Sequence, residues 1–270
     1  IGARSDLEGV PIERLQAFYR KWYQPDNTIL VVAGKFDEAK TLRTIEKKYG
    51  VLPRSKQPIE RTYTVEPAQD GERTVTLRRA GDTKVASAAY HIPAGSDPEH
   101  AAVGVLGFIL GDVPSGRLYK ALVETKKAAT ISTDVSEFRD PGLLYVDATT
   151  TSDGAIEEAR DTMIRTLEGF ASTPPTEQEV ARARDNLLKR WDLTMRESQR
   201  AALQISEWSA MGDWRLIFLH RDRLQKVTVD DVMRVAGAYL KPSNRTAGLF
   251  YPTKEPDRAP LPALQDIAAV

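Results

Sequence analysis

The fold is decided by the stretch IERLQAFYRKWYQPDNTILVVAG at residues 12–34, which recurs near the other end of the chain as VDDVMRVAGAYLKPSNRTAGLFY at residues 229–251. Each copy predicts an amphipathic helix, a Pro-x-Asn break and a hydrophobic strand, in that order. An internal period of domain length indicates a repeated domain rather than a solenoid. We therefore expect the end of one domain followed by one complete copy, as in a piece of a larger protein. The identical pairs in and upstream of the two copies are Arg4/Arg221, Leu7/Leu224, Val10/Val227, Pro25/Pro242 and Asn27/Asn244.

The composition is that of a globular protein with a substantial core, and it does not indicate a particular function. The 270 residues are 41% hydrophobic and 28% charged. The 38 basic and 38 acidic side chains cancel, so no global field attracts nucleic acid or an anionic membrane. The longest apolar stretch, residues 101–110, is too short to span a bilayer.

Cysteine is absent, which excludes disulfides, thiolate nucleophiles and cysteine-based zinc sites. Such a composition suits the cytosol and the bacterial periplasm alike, so the compartment stays open. Serine nowhere forms a Gly-x-Ser-x-Gly elbow or stands beside a histidine as in a catalytic triad. We therefore predict no catalytic residue in this chain.

The pattern predicts an α+β fold, in which an antiparallel-dominated sheet carries helices on one face. Strands come in pairs separated by pairs of helices, whereas a doubly wound parallel sheet would need them to alternate singly. The predicted limits are 1–52 for the C-terminal part of a preceding homologous domain, 53–66 for a linker, 67–252 for the complete inactive domain and 253–270 for a tail. The predicted strands are 28–33, 73–79, 83–92, 130–138, 142–151 and 246–251, and the predicted helices are 12–22, 36–49, 97–110, 116–127, 155–170 and 176–198.

The three histidines do not have the spacing of a metal site, because no two of them lie close enough in sequence to share one face of a helix. His91 is predicted at a solvent or interface position on its strand. His100 is predicted as a polar residue in the first turn of the apolar helix 97–110. His220, in an arginine-rich stretch, is predicted to be exposed. We expect no bound metal in this segment.

Two segments carry a resemblance to a known family. One of them follows the apolar helix and reads SGRLYKALVE at residues 115–124, and the other is residues 1–34, which hold the first copy of the repeat. In order and spacing the two segments resemble the pitrilysin/insulinase family of zinc metallopeptidases, which also contains mitochondrial processing peptidase and related non-catalytic subunits. The resemblance spans almost the whole chain. Within residues 1–34, the residues that carry the resemblance are IG at 1–2, DL at 6–7, Val10, Phe18, WY at 22–23, Pro25, Asn27 and LVVAG at 30–34.

The resemblance implies four similar α+β domains that form two bowl-shaped halves around a peptide substrate. It implies a zinc ion held by an inverted His-x-x-Glu-His on the first domain and by a later glutamate, with the motif's own glutamate as general base. That motif is missing here and is expected upstream of Ile1. In the complete copy the helix 97–110 takes the place of the metal motif but offers only His100. Val123 and Thr130 replace an arginine and a tyrosine typical of the fourth domain, which favours an inactive second domain.

The resulting prediction is the non-catalytic portion of a pitrilysin/insulinase-like zinc metalloendopeptidase, with zinc in the parent protein and none in this segment. This portion would form chamber wall and substrate-contact surface, and Arg117 and Tyr119 are the candidates for substrate contact. The implied partners are a peptide substrate and either the remaining domains of the parent chain or a homologous zinc-bearing subunit. The alternatives are a scaffold subunit, as in the core of respiratory complexes, or a partner subunit, as in processing peptidase.

Overall fold

The computed structural model describes residues 2–54, 58–59, 64–151 and 154–260. The chain divides into two compact units. Unit 1 comprises Ile1–Pro67 and Leu193–Trp214, and unit 2 comprises Ala68–Asp192 and Arg215–Val270. Parts of the predicted linker 53–66 and of the predicted tail 253–270 lie outside the described residues, so the predicted domain limits remain a prediction.

Unit 2 contains a five-stranded sheet in the order β1-β5-β2-β4-β3. Three pairings are antiparallel, and the pairing of the first and last strands is parallel. The predicted α+β class is therefore confirmed, with a mixed sheet in place of a purely antiparallel one. The strands are β1 (Arg73–Ala80), β2 (Lys84–Ile92), β3 (Thr130–Val135), β4 (Gly142–Thr150) and β5 (Arg245–Thr253).

The helices agree closely with the apolar periodicity of the sequence. Unit 1 contains α1 (Arg4–Gly9), α2 (Ile12–Trp22), α3 (Glu38–Tyr49) and α7 (Ser198–Ala210), and unit 2 contains α4 (His100–Gly111), α5 (Ile156–Glu168), α8 (Leu216–Leu224) and α9 (Val229–Tyr239). The longest helix, α6 (Glu177–Arg196), begins in unit 2 and ends in unit 1. No helix in the described part of the chain is both long and apolar enough to cross a bilayer.

The core of unit 2 lies between one face of the sheet and the helices α4, α5 and α9. Burial alternates along β2, because Ala86, Ala88, Tyr90 and Ile92 are buried on the helix side. The helix α4 is buried on nearly every side, since His100 and almost all of the apolar residues that follow are inaccessible. On the opposite face, here called the open face, the β2 residues are only half-buried.

The helix predicted over residues 116–127 is confirmed in part, because residues 117–123 are helical but for the most part not as an α-helix. The structure instead has a π-helical turn at Tyr119–Val123, in which the Glu124 N–H donates to the Tyr119 carbonyl oxygen at 3.1 Å. The turn ends where Lys126 adopts a φ of 61°, in the left-handed region that stops a right-handed helix. Local apolar spacing cannot distinguish a π turn from an α-helix, because the two differ by one residue in hydrogen-bond register.

The repeat seen in the sequence is present in the backbone. The helices α2 and α9 occupy equivalent positions in the two copies, and each is followed by a short 3-10 turn, Pro25–Asn27 or Pro242–Asn244. The side-chain amide of Asn27 donates to the Trp22 carbonyl oxygen at 2.9 Å, and that of Asn244 donates to the Tyr239 carbonyl oxygen at 2.9 Å. The two ends of the chain therefore contain the same local substructure.

The strand predicted at residues 28–33 is not formed. A strand exists through hydrogen bonds to its neighbours, and no strand pairs with these residues among those the structure describes. In the second copy the equivalent residues form β5, which lies between β1 and β2. The difference between the copies is therefore in the surroundings of the segment rather than in its local pattern.

We predict opposite effects for alanine at two glycines of α4. A Cβ at Gly107 would lie 2.5 Å from Val135 Cγ2 on β3, whereas a Cβ at Gly104 would meet nothing within 4 Å. Gly107→Ala should lower the free energy of unfolding by about 1–3 kcal/mol through overpacking. Gly104→Ala should raise it by up to about 1 kcal/mol, because alanine favours the helix. Urea unfolding of both variants checks this, and equal effects would contradict the close approach of α4 to β3.

Candidate functional site

The beginning of α4 is the place to look for chemistry in unit 2, because this helix stands where the metal motif is expected in an active domain. His100 is 1% exposed, and its Nδ1 lies 3.3 Å from the Pro93 carbonyl oxygen. Asp97 accepts a hydrogen bond from the Glu99 N–H at 2.8 Å just before the helix begins. Behind His100 the helix offers only apolar and glycine residues, so it presents a single polar side chain.

The structure places His220 beside His100, with 5.9 Å between the ring centroids. The prediction that His220 is an exposed side chain is therefore wrong, since the residue is half-buried on α8. Burial, with smaller contributions from the nearby His100 and Arg223, lowers the pKa of His220 to about 4. Burial also lowers the pKa of His100, against the opposing effects of its Pro93 hydrogen bond and of Asp97.

Two neutral imidazoles could each offer a metal a nitrogen ligand, but a zinc site needs about three protein ligands. Within the described ranges no group of three or more His, Cys, Asp or Glu side chains could hold a metal ion. Glu99, the nearest glutamate along the chain, instead accepts hydrogen bonds from Arg234 at 3.0 Å and from the Tyr239 hydroxyl at 2.8 Å. The residues around His100 therefore do not fit zinc.

Arg117, one of the two candidates for substrate contact, makes an extensive set of bonds within unit 2. Its guanidinium donates to both carboxylate oxygens of Glu179 at 3.0 Å and to the carbonyl oxygens of Thr173 and Pro174. It also lies over the Phe170 ring, 4.5 Å from the centroid. This side chain therefore ties the residues before the π turn to the loop that leads into α6.

Glu179 has a second role at the start of α6. Its carboxylate accepts from the Thr176 N–H at 2.8 Å, while the Glu179 N–H donates to Thr176 Oγ1 at 3.1 Å, and these two reciprocal bonds form a capping box. The hydrogen bonds from Arg117, reinforced by those from Thr176, lower the pKa of Glu179 to about 2. Tyr119 is half-buried at the start of the π turn. A role in substrate contact for Arg117 and Tyr119 remains a prediction.

The histidine pair should make the protein less stable in mild acid. The folded-state pKa of His220, about 4, lies below its usual 6.5, so the unfolded chain takes up a proton that the folded chain refuses. The free energy of unfolding therefore keeps its full value above pH 6.5. As the pH falls toward 4 it decreases by up to about 3 kcal/mol. His220→Asn should remove this part of the pH dependence, as measured by urea unfolding across this range. His91→Asn is the control, and a parallel loss of stability in wild type and His220→Asn would contradict the assignment.

Comparison with known proteins identifies the family. Residues 9–187 match the family described as the peptidase M16 inactive domain. The chain is 22% identical over 255 residues to the zinc protease PqqE of Helicobacter pylori, a match that covers 93% of this chain and 57% of that protein. It is 25% identical over 251 residues to the mitochondrial-processing peptidase subunit beta of Blastocladiella emersonii, covering 89% of this chain and 53% of that one.

Solved structures show the same fold. A protease from Helicobacter pylori superposes with a TM-score of 0.87 at 22% identity, over 93% of this chain and 62% of that one. The inactive peptidase domain of a Bordetella parapertussis protein is 41% identical, with a TM-score of 0.62 over 68% of this chain and 99% of that chain. The chain thus spans little more than half of the curated relatives it matches. The family match covers residues 9–187, about two thirds of this chain, and the chain therefore belongs to the peptidase M16 inactive-domain family.

Proposed function

We propose that this chain is the non-catalytic portion of a zinc metalloendopeptidase, in which unit 1 completes a preceding domain and unit 2 forms part of the wall of a peptide-binding chamber. The observation that carries the proposal is the repeat, of which one copy is buried in a sheet and the other is exposed. The proposal places the zinc motif in a part of the parent protein outside this segment.

The exposed copy has an apolar surface that its counterpart buries. Phe18 is 59% exposed on α2, whereas the equivalent Val235 on α9 is fully buried. Leu30 is 50% exposed, whereas the equivalent Ala247 on β5 is 4% exposed. Such a contiguous apolar surface on a soluble protein marks a site for another protein surface.

The buried copy indicates what the partner surface should contain. In the buried copy, β5 lies between a parallel strand, β1, and an antiparallel strand, β2. The side-chain amide of Asn244 also donates to the His91 carbonyl oxygen of β2 at 2.9 Å. By equivalence, residues 28–33 would enter a sheet of the same type, and Asn27 would donate to a carbonyl oxygen of that sheet.

Unit 2 would contribute a surface rather than chemistry. Helices cover one face of its sheet, and the open face carries small and polar side chains such as Ser87, Ala89 and Gly248 along the central strands. Such a face can line a chamber without filling it. Zinc and the general base would then come from the preceding domain, because the residues of α4 do not fit a metal.

A second candidate is a scaffold or partner subunit of the same family. This second candidate is supported by the similarity to the beta subunit of mitochondrial-processing peptidase, which is 25% identical over 251 residues. Both candidates require unit 1 to complete a preceding domain, and they differ in whether that domain binds zinc. For the compartment we propose the bacterial periplasm, which the cysteine-free composition allows; fractionation of the parent protein tests this.

A reconstitution experiment distinguishes the enzyme candidate from the scaffold candidate. The chain alone should hydrolyse no peptide, and co-expression with the upstream region of the parent should give a complex that contains zinc and cleaves an unstructured peptide. Metal analysis and a fluorogenic peptide assay provide the readouts. A complex that forms without zinc and without hydrolysis would support the scaffold, and failure to form a complex would contradict both candidates.

A matched pair of variants on α2 tests the apolar surface itself. Phe18→Asp places a charge at the position equivalent to the buried Val235 and should weaken association with the upstream region by at least about a hundredfold. Ala17→Asp adds the same charge at the position equivalent to the exposed Arg234 and should leave association within about threefold of wild type. Co-purification and titration measure both, and equal effects would contradict the proposed docking face.

A further inference from the structure

The strand β1 forms one edge of the sheet in unit 2. Among the described residues it pairs only with β5, and all eight of its residues are exposed. An edge strand has a row of unpaired N–H and C=O groups that can accept another extended segment. This edge lies at the opposite end of the sheet from β3.

The two faces of β1 differ in chemistry. Thr74 and Thr76 pair in register with Ala247 and Leu249, so they lie on the helix side of the sheet. Val75 and Leu77 lie on the open side and are 55% and 49% exposed. An added strand would therefore have one row of side chains facing the helices and another row next to two exposed apolar residues.

A cleft of about 440 Å³ opens on the helix side, between β1, β5 and α5. Its wall on α5 includes Ile164 flanked by charged residues. The volume suits a few side chains rather than a second helix, whose diameter is about 10 Å. The lining residues are Glu72, Thr74, Arg160, Asp161, Ile164, Arg165, Arg245 and Ala247.

The charges of this cleft are not balanced. Arg160 pairs with Asp161 at 2.8 Å, and Arg245 pairs with Glu72 and Glu168. Arg165 is exposed and donates to Thr162 Oγ1 at 3.1 Å, without a carboxylate partner in the described part of the chain. An anionic group entering the cleft would therefore find an available guanidinium.

The strand itself adds positive charge. Arg78 on β1 lies over the Tyr251 ring, 4.9 Å from its centroid, on the same side of the sheet as the cleft. Arg73 and Arg79 stand near the two ends of β1 on the open side. Like Arg165, these three arginines make no ion pair within the described residues.

We propose that the edge of β1 binds an extended peptide segment in which acidic and apolar residues alternate, and which adds to the sheet as a further strand. Its acidic side chains enter the cleft toward Arg165 and Arg78, and its apolar side chains lie against Val75 and Leu77. Main-chain hydrogen bonds to β1 supply affinity, and the two rows of side chains supply specificity. This inference concerns unit 2 alone and does not depend on the proposed function.

The test uses the whole chain and a labelled decapeptide of alternating glutamate and valine, with binding followed by fluorescence anisotropy. We expect saturable binding. A lysine–valine peptide should bind at least about tenfold more weakly, because it reverses the charge. The glutamate–valine peptide with its central residues N-methylated should also lose at least about tenfold, because it keeps the charge but cannot donate main-chain hydrogen bonds.

Two variants of the chain locate the site. Arg165→Gln should weaken binding of the glutamate–valine peptide by about tenfold, and Arg43→Gln, an exposed arginine on α3 of unit 1, should change it by less than about twofold. Both positions are exposed, and an unchanged unfolding midpoint shows that each variant is folded. Absence of binding, equal binding of the N-methylated peptide, or an Arg165→Gln variant that binds like wild type would each overturn the proposal.

Discussion

The structure of unit 2 depends on the insertion of its last strand between its first two. The strand β5 pairs with β1 in parallel and with β2 in antiparallel, so the sheet cannot be completed until the end of the domain is present. A turn at Gly81 joins β1 to β2 and crosses the end of β5, where the Gly81 N–H donates to the Thr253 carbonyl oxygen at 3.2 Å. The same constraint explains unit 1, in which residues 28–33 have no neighbouring strand among the described residues and Phe18 and Leu30 are exposed.

The burial of α4 explains why a domain of this family can be inactive and still stable. A helix that holds a catalytic metal must present several polar ligands to a cavity, whereas α4 packs apolar residues on nearly all sides and approaches β3 closely at Gly107. His100, which is buried, and His220, which is half-buried, lie at the edge of this core, and their lowered pKa values favour the neutral side chains. The proposed binding surfaces of unit 2 lie outside this core.

Two of those surfaces lie at different parts of the same sheet. The open face carries Ser87, Ala89 and Gly248 along part of β2 and β5, and the edge of β1, which pairs only with β5 among the described residues, lies next to a basic cleft. The polar contacts within unit 2 hold the framework behind these surfaces, as when Arg117 joins the π turn to the start of α6 through Glu179. Under the two proposals, unit 2 acts through these surfaces, which would determine which extended segments bind.

The sequence by itself determined the repeat, the α+β class, the limits of α2, and the family, because these depend on local periodicity, Pro-x-Asn breaks and motif order. Only the tertiary structure decided that β5 separates β1 from β2, that residues 28–33 form no strand, and that His220 lies beside His100. Each of these depends on pairing between residues far apart in the chain, which no local pattern encodes. The five hydrogen bonds of Arg117 belong to the same class, since they join it to residues at least 56 positions away in the chain.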